Sequence, residues 1–167
     1  MRGSDDRLRA LLAQRSLEVA ILIFPEVEVL DFAGPFEVFS VAGRILKQDG
    51  RPPFRVSTIA AQTASVTARY GLAVLPNAGF ADRPPADILI VPGGIVSQPL
   101  GDPPTLDWVR AAADQASLVA SVCTGAFILA RLGLLDGKVC TTHWEDIPDL
   151  RRDHPDLRVI EDVPFVD

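Results

Sequence analysis

Short, almost continuously apolar runs alternate along the chain with segments whose apolar residues recur at helical spacing. The runs at 19–24, 88–91 and 118–122 show little alternation between apolar and polar positions, which is typical of strands buried on both faces. Further strands are predicted at 54–59, 139–142 and 157–160, and a hairpin at 65–68 and 72–75. Helices are predicted around 8–12, from Pro35 to about 47, at 105–116, after Gly125 and at 144–152.

This alternation predicts an α/β fold in which helices cover a mostly parallel sheet. Ligands of such sheets bind at the carboxyl ends of the strands, near the point where the strand order reverses. The residues that directly follow the apolar runs are therefore the candidates for a site. They lie at 25–31, 92–95, 123–125 and 142–144.

Length and composition fit one globular domain. The chain has 167 residues, of which 48% are hydrophobic and 23% charged, and this excludes a disordered chain. Two cysteines are too few for a disulfide scaffold. Residues 1–16 are interpreted as an N-terminal extension with a short helix capped by Ser4 or Asp5, and the first four residues resemble an expression tag. The domain itself is assigned to 17–167.

The charge and hydropathy of the chain disfavour several partners. A net charge of −6 repels phosphate backbones, so direct nucleic-acid binding is not expected. No apolar run reaches the roughly 18–20 residues that a membrane span needs, and no secretory signal is recognisable. We expect a cytoplasmic protein in which both cysteines stay reduced.

Cys123 is the sharpest chemical signal, because it lies between an apolar strand and a helix in the run SVCTGA. A residue at such a turn is exposed above the sheet edge, and the positive end of the helix dipole favours a thiolate. The alternative is a buried structural thiol. Cys140, inside a predicted strand, is interpreted as a core residue.

Gly93 and Gly94 end another buried strand, where the lack of side chains lets the backbone approach a ligand. Together with the N–H of Thr124 they are candidates for an oxyanion hole or anion nest. The alternative is an ordinary turn.

Asp31 and His143 are the candidate proton-handling groups. Asp31 stands in an apolar stretch and is either a cap for the helix that begins at Pro35 or a site carboxyl with a raised pKa. His143 follows a predicted strand and either orients the site or lies at its periphery. Neither metal-ligand spacing nor a nucleotide-binding motif is present, so no metal or cofactor is expected.

Taken in order, these segments resemble the ThiJ/PfpI superfamily, relatives of class I glutamine amidotransferases. The matching blocks are FPEVEVLDFAGP at 24–35, IVPGG at 90–94, SVCTG at 121–125, LLDGK at 134–138 and TTHW at 141–144. They extend over nearly the whole chain. The resemblance implies a flavodoxin-like three-layer sandwich, a cysteine nucleophile elbow, and commonly a homodimer.

Within that superfamily the sequence resembles in particular the isocyanide (isonitrile) hydratases and the sensing domains of AraC-type regulators. Protease-like members carry histidine after the cysteine, where this chain has Thr124, so peptidase activity is not expected. Carried over by matching positions, Cys123 is the nucleophile, Asp31 the acid that manages protons, and Thr124 a hydroxyl and backbone donor. Gly93, Gly94 and His143 line the pocket.

The resemblance therefore implies a hydratase-type lyase that converts a small isocyanide into an N-substituted formamide. Two alternatives stay open: a ligand-sensing domain of an AraC-type regulator, and a redox or stress-response protein with an oxidisable cysteine. The resemblance also implies a further strand and a long helix beyond Val159, so the domain is expected to be short at its C-terminus.

Overall fold

The computed structural model describes residues 2–47 and 50–167, and the side chains from Asp6 onward within these ranges. The strands are β1 (Leu17–Leu22), β2 (Phe54–Ala60), β3 (Val66–Thr67), β4 (Ala73–Val74), β5 (Ala78–Gly79), β6 (Ile88–Val91), β7 (Leu118–Ser121), β8 (Val139–Cys140) and β9 (Arg158–Val159). The helices are α1 (Arg2–Gln14), α2 (Val29–Ile45), α3 (Ser97–Leu100), α4 (Pro103–Gln115), α5 (Gly125–Arg131) and α6 (Ile147–Asp153). Single 3₁₀ turns lie at Arg69–Gly71, Phe80–Asp82 and Trp144–Asp146.

A parallel sheet with the strand order β5-β2-β1-β6-β7 forms the centre of the described chain. Strand β1 is the middle strand, and Ile21 pairs with Thr58 on one side and with Ile90 on the other. Nearly every residue of β1 and all of β6 are buried, as their continuous apolar character predicts. Because the strands are parallel, the carboxyl ends of β1, β6 and β7 lie side by side.

Helices flank this sheet, which confirms the predicted α/β class. Helix α2 contacts β1 and β2, and α5 contacts β6 and β7. The ring of Phe80 stacks on Trp108 of α4, with 4.9 Å between the ring centroids. A salt bridge of 2.6 Å joins Arg15, which follows α1, to Asp87, which precedes β6.

A second, two-stranded parallel sheet lies beside the first. Strand β8 pairs with β9, and Cys140 is opposite Val159. Cys140, Leu150 of α6 and Ala126 of α5 belong to one buried cluster, which confirms the prediction that Cys140 is a core residue. This small sheet brings the segment after β8 toward the end of β7.

Two details differ from the predicted elements. Helix α2 begins at Val29, so Pro35 lies inside the helix and not in its first turn. The N–H of Asp31 already donates to the Glu28 carbonyl at 3.2 Å, which starts the helix before the proline. Helix α1 includes Ser4 and Asp5, so neither residue caps it.

The short elements β5 and α3 were not predicted, because two and four residues are too few to show a period. Strand β7 lies at an edge of the central sheet, and 40% of the Leu118 surface is exposed. Among the described helices, none is both long enough and apolar enough to traverse a bilayer. Likewise, the described residues contain no cluster of three or more histidine, cysteine or acidic side chains placed to hold a metal ion.

Candidate active site

Cys123 occupies the tight turn between β7 and α5, as predicted. Its backbone is left-handed, with a φ of 55°. For a residue with a side chain this conformation costs about 1–3 kcal/mol, and surrounding contacts must hold it. The turn is closed by the N–H of Gly125, which donates to the Val122 carbonyl at 3.0 Å. The structure thus shows a strained turn that presents a half-buried thiol.

Asp31 is the neighbour of this thiol. It lies in the first turn of α2 and is only 8% exposed. Its carboxyl accepts a hydrogen bond of 3.2 Å from the N–H of Gly93 and interacts with the thiol of Cys123. The alternative role as a helix cap is therefore excluded, since Glu28 occupies the N-cap position of α2.

The thiol of Cys123 holds its proton tightly. Burial raises its pKa to about 11, the N–H of Thr124 lowers it in part, and the charge of Asp31 raises it again. The expectation that the dipole of the following helix yields a thiolate is therefore wrong for the resting site. Helix α5 has only seven residues, so its dipole cannot offset burial beside a carboxylate.

Burial also raises the pKa of Asp31, while the N–H of Gly93, the Cys123 thiol and the charge of His143 lower it in part. The Asp31 carboxylate disfavours ionisation of the Cys123 thiol, whereas the hydrogen bond from the thiol favours the carboxylate form of Asp31. The two groups therefore share a hydrogen bond in which the thiol is the donor. A proton can pass between sulfur and carboxyl oxygen without solvent. In this arrangement Asp31 can act as a general base that removes the proton of a nucleophilic Cys123.

Gly93 and Thr124 form the wall beside this pair. A Cβ added at Gly93 would lie 2.6 Å from both the backbone nitrogen and the hydroxyl oxygen of Thr124, and 2.9 Å from the Asp31 carboxyl. Only glycine lets these three groups approach so closely. The Thr124 hydroxyl donates to the carbonyl of Gly94 at 3.0 Å and accepts from its N–H at 2.9 Å.

These hydrogen bonds change the interpretation of the glycine pair. The N–H of Gly93 is engaged by Asp31 and that of Gly94 by Thr124. The expected anion nest built on the two glycine amides is therefore not open in this structure. The glycines instead hold the acid and the threonine in place.

The loops after β1 and β6 are clamped together. The N–H of Glu28 donates to the Gly93 carbonyl at 2.9 Å, and the N–H of Ile95 donates to the Glu26 carbonyl at 3.0 Å. Gly94 has a φ of +125°, and a Cβ there would lie 2.3 Å from the Glu26 carbonyl oxygen. Asp31 is thereby fixed relative to Gly93.

His143 lies at the edge of the site. Its imidazole is partly exposed, and its Nε2 is 3.4 Å from a carboxylate oxygen of Glu145. In the described part of the chain, no hydrogen bond joins His143 to Cys123. The histidine reaches the site through its charge, which lowers the pKa of Asp31 in part.

Thr142 lies in the candidate range 142–144 but was given no role of its own from the sequence, and the structure shows that it contacts the elbow. Its hydroxyl donates to the carbonyl of Cys123 at 3.0 Å. The only signal in the sequence is its position directly before His143, at the end of a predicted strand.

Two cavities of the described chain lie away from this chemistry. One of about 190 Å³ is near the carboxyl ends of β1 and β2, and its lining includes Phe24, Gln62 and Phe80 but neither Cys123 nor Asp31.

Residues 17–165 match the DJ-1/PfpI family. An isonitrile hydratase from Pseudomonas putida is 39% identical over 130 residues, which are 77% of this chain and 53% of that protein. The HTH-type transcriptional regulator GbdR from Pseudomonas aeruginosa is 31% identical over 137 residues, 82% of this chain and 36% of the regulator.

A comparison with solved structures also finds this fold. The crystal structure of a ThiJ/PfpI family protein from Pseudomonas syringae has a TM-score of 0.71 and 29% identity, covering 81% of this chain and 53% of that one. The chain thus spans about half the length of the hydratase and about a third of the regulator.

Proposed function

The chain belongs to the DJ-1/PfpI family, and from this premise we propose that it is a cysteine-dependent enzyme that hydrates small isocyanides to N-substituted formamides. The observation that carries the proposal is the pairing of the half-buried Cys123 thiol, on a strained turn, with the buried Asp31 carboxyl, which share a hydrogen bond. The similarity to an isonitrile hydratase supports the same chemistry. We also propose a cytoplasmic location, because the thiol must stay reduced.

The first step adds the thiol to the isocyanide R–N≡C. Asp31 takes the proton of Cys123 as the sulfur attacks the terminal carbon, and a C–S bond forms. Asp31 then gives that proton to the same carbon. The product is a thioimidate, R–N=CH–S–Cys123, and no atom has been lost. Burial of Asp31 suits this role, because a raised pKa makes its carboxylate a stronger base.

The second step uses water. Water adds to the thioimidate carbon, and Asp31 accepts a proton from this water and passes it to the nitrogen. As the C–S bond breaks, the hydroxyl on the carbon gives its proton to Asp31, R–NH–CHO is released, and Asp31 returns this proton to the sulfur. The overall change is the addition of one water, and every proton is accounted for by the thiol, the carboxyl and water.

A second candidate function is ligand sensing, which the similarity to GbdR favours. In that case the same site binds a small molecule without turning it over. The two functions differ in one observable quantity, the amount of product formed by a protein that binds the ligand.

The test is to incubate the protein with n-butyl isocyanide and to follow N-butylformamide by proton NMR. We expect formamide from the wild type and from the Cys140→Ala control, which removes the buried thiol outside the site. Cys123→Ala should form none. Wild-type turnover by Cys123→Ala would refute the proposal, and thermal stabilisation by the isocyanide without formamide would favour the sensor.

We further propose that the chain forms the homodimer that the family resemblance implies, through the outer face of α2. Leu30, Val38 and Ile45 follow one another at helical spacing and are 74%, 66% and 65% exposed. Glu37 and Arg44, seven residues apart, are exposed and border one side of this stripe. Two antiparallel copies related by a two-fold axis place Glu37 of each copy beside Arg44 of the other, so the surface is complementary to itself.

A further inference from the structure

Thr142 makes a long-range hydrogen bond to the strained turn. Its hydroxyl donates to the carbonyl oxygen of Cys123 at 3.0 Å, across 19 positions of sequence. The other described donor to that oxygen is the N–H of Ala126, at a longer 3.4 Å. Thr142 therefore makes the shorter contact with the carbonyl of the one residue in this turn whose φ is left-handed.

The carbonyl of Cys123 and the N–H of Thr124 belong to the same peptide unit. A trans peptide is planar, and its C=O and N–H point in opposite directions. A group that fixes the oxygen therefore fixes the direction of the N–H. That N–H is the backbone donor to the Cys123 thiol and favours its ionised form. A hydrogen bond to the oxygen also polarises the amide, which makes its N–H a stronger donor.

Thr142 is itself held by a separate part of the fold. The neighbouring Thr141 donates its hydroxyl to the Ile160 carbonyl at 2.9 Å, and the N–H of Ile160 donates to the Cys140 carbonyl at 3.0 Å. These bonds extend the pairing of β8 with β9, whose residues pack against the buried Leu150 of α6. The second sheet is thus a rigid support from which Thr142 reaches the turn.

We propose that Thr142 is a positioning residue that, by holding the Cys123 carbonyl, aims the Thr124 N–H at the sulfur and so sets the reactivity of the thiol. This role goes beyond the proposed function, because it applies to any electrophile that reaches Cys123. Its failure and the failure of isocyanide hydration are therefore separate results.

The test is the rate of Cys123 alkylation by iodoacetamide between pH 7 and pH 10, measured for the Cys123 peptide by mass spectrometry. Thr142→Val removes the hydroxyl at nearly constant volume. We expect alkylation about threefold to tenfold slower at each pH, which moves the rising limb of the profile to higher pH. Thr142→Ser should restore the wild-type profile, and Thr58→Val, which breaks a hydroxyl bond to Asn77 on a strand that does not carry the turn, should leave it unchanged.

The direction in which the alkylation rate changes distinguishes a positioning role of Thr142 from a general loosening of the turn. A turn that merely loosens exposes the thiol to water, which lowers its pKa and speeds alkylation. Faster or unchanged alkylation in Thr142→Val would overturn the proposal, as would an equal loss in Thr58→Val. If Thr142→Val does not fold, as judged by thermal melting, the comparison of Thr142→Ala with Thr142→Ser gives the same decision.

Discussion

Cys123 and Asp31 act as one unit that holds a proton at neutral pH. With a pKa of about 11, only about one thiol in ten thousand is ionised at pH 7. A standing thiolate therefore cannot supply the reactivity of the site. The nucleophile must form when the electrophile arrives, by transfer of the proton to Asp31, whose own pKa is raised by burial.

This coupling predicts opposite effects of Asp31→Asn on two reactions of the same sulfur. The variant removes a negative charge that raises the pKa of Cys123, so alkylation at pH 8 should become about tenfold faster. Formamide production should fall at least about 100-fold, because no carboxyl remains to carry the proton.

Both rates are measured on one preparation, by iodoacetamide labelling and by NMR. The control is Glu26→Gln, which neutralises an exposed carboxylate in the loop before α2 and should change neither rate. Parallel losses in both reactions would show that Asp31 supports the structure of the turn and does not handle a proton.

The raised pKa of Asp31 also predicts a pH-dependent stability difference. When folding raises the pKa of a carboxyl, its ionisation is harder in the folded state than in the unfolded state. The free energy of unfolding therefore decreases as the pH rises above the unfolded pKa of about 3.9. At pH 7, Asp31→Asn should therefore melt about 2–4 °C higher than the wild type.

This difference in melting temperature should shrink as the pH falls through the folded-state pKa of Asp31. It should vanish below about pH 4, where the carboxyl of the wild type and the amide of the variant are both neutral. Thermal melts followed by circular dichroism at several pH values measure it. A gain that persists unchanged in acid would contradict the assignment of burial as the cause.

At the residue level, the sequence identified Cys123, Asp31 and Thr124 as neighbours because each follows a strand in one parallel sheet. It could not settle whether Asp31 caps its helix, since that depends on which backbone N–H its carboxyl meets. The position of His143 and the contact of Thr142 depend on the second sheet. Its two-residue strands leave too little pattern to place them.

At the level of elements, the site depends on how closely the loop after β6 approaches the elbow. Gly93→Ala should reduce turnover at least about 100-fold, because its Cβ would displace the backbone of Thr124 or the Asp31 carboxyl. Gly101→Ala is the matched control, since a Cβ there would make only an ordinary contact of 3.5 Å with the Ser97 carbonyl.

The test is to measure the turnover and the melting temperature of the Gly93→Ala and Gly101→Ala variants. Gly101→Ala should resemble the wild type in both measurements. Wild-type turnover by Gly93→Ala would mean that the close approach of Asp31 and Thr124 is not required.

The main strands and helices could be predicted because buried elements have a recognisable pattern of apolar residues in the sequence. Strand β6 has the predicted bounds, since all four of its residues are buried. The start of α2 could not be predicted from Pro35, because proline is frequent in a first turn, whereas here the clamp at Glu28 starts the helix earlier.

At the scale of the whole molecule, the exposed stripe on α2 lies on the same helix that carries Asp31. We expect the wild type to have twice the 18.0 kDa mass of the chain in light scattering after size exclusion. Val38→Asp should shift it to the monomer, while Phe165→Asp, a similar change at an exposed residue elsewhere, should not.

Charge reversal tests the two-fold arrangement itself. Glu37→Arg should weaken the dimer and the double variant Glu37→Arg/Arg44→Glu should restore it. A wild type that is monomeric at all concentrations, or a double variant as weak as the single one, would contradict this interface.

The most direct test of the account is the mass of the protein quenched in acid during turnover of n-butyl isocyanide. We expect a fraction of the chains to gain the full mass of the isocyanide, because its addition to the thiol loses no atom, and peptide mapping should place the gain on Cys123. A wild-type sample that forms formamide while the adduct lies on Cys140, or while no adduct forms on Cys123, would contradict covalent catalysis at the elbow.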